Sequence, residues 1–138
     1  MRDSVPPEAK QHPTQEADSK TLRSKKPNRI LFHSFTGSLE TARKILEQGY
    51  YISFNGIITY PKADNIREIF KFVWEHYPTQ ILSETDAPLL APQVRRGEVC
   101  YPSDVVEVVG KMGEVTGVKK NEMEEMILQN SKSFWGWR

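Results

Sequence analysis

The sequence predicts an α/β fold with a parallel sheet. From Ile30 onward, short apolar runs rich in β-branched and aromatic residues alternate with stretches whose apolar residues recur at helical spacing. Strands alternating with helices of this length form right-handed βαβ units. The first 28 residues have a different composition and stand apart from that pattern.

Residues 1–28 hold Pro6, Pro7, Pro13 and Pro27, many charges and only scattered apolar residues such as Val5, Ala9 and Leu22. Such a segment buries too little apolar surface to offset its ordering entropy, so a disordered tail is expected, with residues 29–138 as the folded part. Arg23, Lys25 and Lys26 make a short basic cluster within it.

Ile30 to His33 reads as a first strand ending on a polar residue. Ser38 is placed to cap a helix carrying Leu39, Ala42, Ile45 and Leu46, which Gly49 would stop. Tyr50 to Phe54 reads as a second strand, followed by Asn55 and Gly56 in a turn. Asp64 is the expected cap of a second helix, with Ile66, Ile69, Phe70 and Val73 as its stripe and Pro78 beyond its end. A third strand, Ile81 to Asp86, closes at Ala87-Pro88. After a long loop, Ser103 would cap a helix bearing Val105, Val108, Val109 and Met112. Asn121 and Glu124 resemble a capping pair for a last helix through Met123, Met126 and Ile127. The aromatic residues Phe134, Trp135 and Trp137 end the chain and are expected to pack rather than to stack on bases.

Charge excludes some classes. Lys and Arg total 19 against 18 Asp and Glu, so the net charge of +1 provides no global field toward nucleic acid or an acidic membrane. The single cysteine, Cys100, permits no internal disulfide and agrees with a reducing compartment. No apolar run approaches the ~20 residues of a membrane span. The N-terminus lacks a hydrophobic signal core. An intracellular, cytoplasmic protein with no membrane partner is the expectation.

In parallel β/α folds the chemistry sits at the carboxyl ends of the strands. His33 falls at such an end on the first strand and Asp86 on the third, where Leu82, Glu84 and Asp86 share one face. An imidazole and a carboxylate converging there suit a divalent cation. His12 in the tail and His76 on an exposed helix do not add to such a site. Arg95 and Arg96, in the loop after the third strand, are candidates for substrate phosphates.

Three strings sharpen this: Phe32-His33-Ser34-Phe35-Thr36-Gly37, Ile52-Ser53-Phe54-Asn55-Gly56 and Glu84-Thr85-Asp86-Ala87-Pro88. In order and spacing they resemble H-C-F-S-G, I-S-F-S-G and E-T-D-A-P of the TatD family of metal-dependent deoxyribonucleases. The ending Gln129 to Gly136 resembles the family's terminal Asn-Ala-x-x-x-Phe-x-Gly. Ser34 stands where many members carry Cys, and Val99-Cys100-Tyr101-Pro102 replaces the family's Asn-Glu-Pro element.

The resemblance covers about residues 30 to 136 and implies a partial TIM-type β/α barrel comprising the last three strand–helix units. A closed barrel typically takes ~250 residues. The resemblance also implies a divalent cation, Mg²⁺ or Zn²⁺, with Asp86 as a ligand that helps to orient or activate the attacking water and His33 as a ligand or a histidine beside the metal pair. Glu84 is implied as a partner behind the ligands rather than a ligand itself, and DNA as the substrate. The family's His-x-His, its G-E-x-G-L-D glutamate and its V-I-H-S-R histidine have no counterpart here. A metal site incomplete in this chain is therefore expected, with weak or no activity alone. Open sheet edges would suit a complementing barrel half or another copy of the chain, and a non-catalytic docking module is the alternative function.

Overall fold

The computed structural model describes residues 29–137; the expected tail and its basic cluster lie outside them. A three-stranded parallel sheet in the order β1-β2-β3 carries helices from all three units. Its strands are β1 (Leu31–Phe32), β2 (Tyr51–Phe54) and β3 (Ile81–Ser83). Leu31 pairs with Tyr51 and Phe32 with Ile52, while Ile52, Ser53 and Phe54 pair with Ile81, Leu82 and Ser83.

All three strands are shorter than expected. Residue type marks where a strand is favoured, but the ladder ends where the chain turns away. Past β3, one further bond runs from Glu84 N–H to Phe54 O, after which Thr85 and Asp86 leave the sheet. This departure carries Asp86 over the end of the sheet instead of along it.

Helix α1 (Leu39–Glu47) begins as expected, with Ser38 Oγ accepting from Thr41 N–H at 3.1 Å. Gly49 follows its end with φ 78°, a conformation that glycine adopts without steric cost. Helix α2 (Asp64–His76) starts differently: Ala63 occupies the capping position, and Asp64 lies inside the first turn, bonded to Arg67 at 2.6 Å. There its charge faces the positive end of the helix dipole.

The third unit has two helices, α3 (Val105–Thr116) and α4 (Lys120–Trp135). Ser103 does not cap α3; it sits in a 3₁₀ turn, Pro102–Asp104, in which Asp104 accepts from Tyr101 N–H at 2.7 Å. Asn121 and Glu124 do not cap α4 either, because the helix begins one residue before Asn121, after an uncapped Lys119.

The core lies between one sheet face and the helices. Ile52, Phe54 and Ile81 from the sheet meet Ile45, Leu46, Phe70 and Val73, with Val108, Met112 and Met123 from the third unit. Phe54 and Phe70 are both essentially fully buried and meet edge to face at 5.3 Å. Each contributes roughly 1.5–3 kcal/mol through removal from water.

Two side-chain amides fasten the amino end of the sheet. Gln80 Nε2 donates to Leu46 O and Tyr50 O at 2.9 and 2.6 Å. Asn130 Nδ2, on α4, donates to Pro78 O and Ile81 O at 2.8 and 2.9 Å. Phe134 packs beside them on Tyr51 at 4.9 Å. Phe134 is buried as expected, but Trp135 and Trp137 stack on each other in solvent. Among the described residues, no helix is long and apolar enough to cross a membrane.

Candidate metal centre

Strand alternation sorts the side chains by face. Ile52, Phe54 and Ile81 point into the helical core, so Leu31, Ser53 and Leu82 occupy the opposite face. Continuing each strand by two residues on that side reaches His33, Asn55 and Glu84, and Asp86 follows Glu84. The carboxyl ends of all three strands thus deliver polar side chains to one place.

His33, Glu84 and Asp86 each offer a ligand atom, and these atoms lie within 4.8 Å of one another. Two donors ~2.0–2.2 Å from one ion are separated by at most about 4.4 Å. A contraction of the cluster is therefore needed to bring all three onto a common cation. The His33 side chain, 75% exposed, has room to make it. One imidazole nitrogen and two carboxylates form an N/O donor set suited to a divalent cation, so the residues present fit the group.

Glu84 belongs to the same cluster as His33 and Asp86. Its Oε1 lies 3.9 Å from His33 Nδ1 and accepts the backbone N–H of Ser34. Asp86 Oδ2 accepts from Ser34 Oγ at 3.0 Å and from Asn55 Nδ2 at 2.7 Å. Asn55 Nδ2 also reaches Ser34 Oγ at 2.7 Å, and its Oδ1 accepts Ile57 N–H at 2.9 Å. Ser34 has φ 50°, a left-handed conformation costing a non-glycine residue about 1–3 kcal/mol. The two bonds it makes to Glu84 and Asp86 hold it there.

Neither Ser34 nor Asn55 was singled out by the sequence as part of the site. Each departs from the family string it otherwise matches, Ser for Cys and Asn for Ser, and this paired departure was the available signal. Ser53 Oγ, one step before the site on the same face, is buried without a hydrogen-bond partner among the described residues.

The two loop arginines part company. Arg95 bonds Asp104 at 2.9 Å and Glu98 at 3.0 Å and lies over the Tyr101 ring, so its charge is taken up within the loop. Asp104 is correspondingly held below the usual carboxylate range, first by Tyr101 N–H and then by Arg95. Arg96 is exposed and stacks over Tyr60 at 4.2 Å. Burial pushes the Tyr60 phenol up despite that cation, and its hydroxyl donates to Ala91 O at 3.0 Å. Arg96, Tyr60, Lys62, Asn65, Gln93 and Thr36 line a groove of about 650 Å³. Its walls come from the loops after all three strands, the same end that carries His33 and Asp86.

A parallel β/α sheet with nitrogen and oxygen donors gathered at its carboxyl ends is the arrangement of a β/α-barrel metal site. Residues 11–136 match the family model described as TatD related DNase, and the chain belongs to the TatD family. It is 38% identical over 101 residues to the uncharacterized metal-dependent hydrolase YcfH of Escherichia coli K12, covering 72% of this chain and 37% of that one. An uncharacterized metal-dependent hydrolase of Mycoplasma pneumoniae is 36% identical over 123 residues, covering 84% and 45% respectively. Among solved structures, YJJV, a TatD homolog from Escherichia coli K12, superimposes with a TM-score of 0.67 at 28% identity, covering 75% of this chain and 39% of that one. A TatD family hydrolase of Entamoeba histolytica shares the fold, with a TM-score of 0.60 at 16% identity. The chain spans less than half the length of the curated relatives it matches. Its fold is the corresponding part of a TIM-type β/α barrel.

Proposed function

We propose that this chain supplies part of the metal site of a divalent-cation-dependent phosphodiester hydrolase, with His33, Glu84 and Asp86 as ligands and a DNA strand as substrate. The observation that carries the reading is the meeting of these three side chains at the carboxyl ends of β1 and β3. The description TatD related DNase supports the choice of substrate.

A bound Mg²⁺ or Zn²⁺ would polarise a phosphoryl oxygen and lower the pKa of a water bound to it. Asp86 would orient the attacking water and help to take up its proton. Glu84 holds the His33–Ser34 turn in place through the Ser34 N–H. Arg96 and Lys62, on the groove at the same end of the sheet, bind neighbouring phosphates of the strand.

The sheet has unpaired outer edges at β1 and β3 among the described residues. Phe32 on β1 is 40% exposed. Such edges recruit further strands, which favours a complementary β/α half, or another copy of the chain, as the partner that adds ligands. A non-catalytic docking role at the same edges is the second reading.

The test is release of nucleotides from end-labelled DNA with Mg²⁺ or Zn²⁺, comparing the chain with Asp86→Ala. Weak, cation-dependent cleavage that disappears in the variant is expected. Equal background in both would remove the catalytic reading and leave the docking role.

A further inference from the structure

We propose that Asn55 and Ser34 form a clamp that fixes the rotation of the Asp86 carboxylate and leaves Oδ1 for the cation, which makes them positioning residues of the site. This rests on the reading of Asp86 as a metal ligand. Asn55 is 3% exposed, and its amide has one orientation because Oδ1 is anchored on Ile57 N–H at 2.9 Å. Its two Nδ2 hydrogens then go to Ser34 Oγ and Asp86 Oδ2, both at 2.7 Å. Accepting one of them, Ser34 Oγ turns its own hydrogen to Asp86 Oδ2 at 3.0 Å.

Oδ2 therefore takes two donors, while Oδ1 accepts no hydrogen bond among the described residues. A carboxylate held by one oxygen presents the other as a single ligand at a fixed angle. Without the clamp, it would rotate freely and lose orientation on each binding event. The three residues come from the ends of different strands, β1, β2 and β3, so the clamp also ties ligand orientation to correct pairing of the sheet. Asn for Ser and Ser for Cys belong together in this arrangement. The amide reaches from the β2 turn to Asp86, and the hydroxyl accepts from it and donates onward more strongly than a thiol would.

The experiment measures Mn²⁺ affinity of the full chain by electron paramagnetic resonance, alongside thermal unfolding, for wild type, Asn55→Ser, Ser34→Ala, the double variant and Asp86→Ala. Asn55→Ser keeps an oxygen for the Ile57 N–H and so keeps the turn, but it is too short for Asp86. Ser34→Ala keeps the N–H bond to Glu84. Each single variant is expected to weaken Mn²⁺ binding by about tenfold, the scale of one lost charge-assisted hydrogen bond. The double variant should be no weaker than the weaker single, because the two act as one unit. In the infrared difference spectrum of Mn²⁺ binding, the carboxylate band that Asp86→Ala removes should shift in Asn55→Ser, reporting a changed mode of coordination.

If Mn²⁺ binds with an Asp86-dependent affinity that Asn55→Ser leaves unchanged, the clamp is refuted and the metal reading stands. Losses that multiply in the double variant, or that follow the unfolding temperature with no shift of the band, also overturn it. If wild type and Asp86→Ala bind Mn²⁺ equally, the metal reading itself falls and takes the clamp with it.

Discussion

Replacing Gly56 by alanine tests how the loops around the site are held. Gly56 opens the 3₁₀ turn after β2, directly behind Asn55. An added Cβ would fall well inside the 3.0 Å that real Cβ atoms keep from the Leu90 carbonyl oxygen, with Pro92 N at 3.2 Å and Ala91 C at 3.4 Å. Every one of these neighbours is backbone, so no side chain can swing away to relieve the contact. The 90–92 segment would have to retreat by well over half an ångström. Leu90 is already left-handed at φ 55°, and the turn just before it is closed by Leu89 N–H on Asp86 O at 2.8 Å. Overpacking of this kind costs about 1–3 kcal/mol. Restricting the unfolded chain returns about 0.4–1 kcal/mol. A net loss of about 1–2 kcal/mol is expected, or a fall in Tm of roughly 4–8 °C per kcal/mol. Urea unfolding followed by the fluorescence of Trp74, half-buried on α2 beside Phe70, measures it. Gly110→Ala is the internal control: it lies inside α3 with nothing within 4 Å of an added Cβ, so the same change should stabilise by about 0.5–1 kcal/mol. A Gly56→Ala midpoint equal to or above wild type, with the m-value unchanged, would refute the close approach.

Asn130→Ala should destabilise the chain by about 1–3 kcal/mol, because it strips Pro78 O and Ile81 O of a buried donor; chemical denaturation gives the value directly. The lowered pKa of Asp104 sets the sign of a pH effect. Its contribution is present above the ordinary value of 3.8 and is lost as the pH falls through the lower, folded value. Thermal unfolding from pH 6 to below 3 should therefore fall more steeply for wild type than for Asp104→Asn, and parallel curves would contradict the pairing with Tyr101 N–H and Arg95.

The order of strands and helices was legible because each element carries its own local pattern: the β-branched run at Tyr51–Phe54, the stripe of Ile66, Ile69, Phe70 and Val73, the Ser38 cap. Asp64, Ser103 and Asn121 are good capping types, yet Asp64 bonds Arg67 from inside its helix, Tyr101 N–H pairs with Asp104 rather than Ser103, and α4 begins before Asn121. At the site, His33 and Asp86 showed themselves through their place at strand ends and their surrounding strings. Ser34 and Asn55 could not, since their partners lie 52 and 31 residues away in the chain. Arg95 and Arg96 look alike in sequence, and only the fold shows that Asp104 and Glu98 claim the first.

The amide fastenings of Gln80 and Asn130 sit at the opposite end of the strands from His33, Glu84 and Asp86. Cohesion and chemistry are thus assigned to different poles of one short sheet. Selection, or an engineer, can tighten the amino pole by repacking around Phe134 and Tyr51 without touching a ligand. The carboxyl pole stays free to exchange residues such as Ser34 and Asn55 in pairs while the scaffold beneath keeps its register.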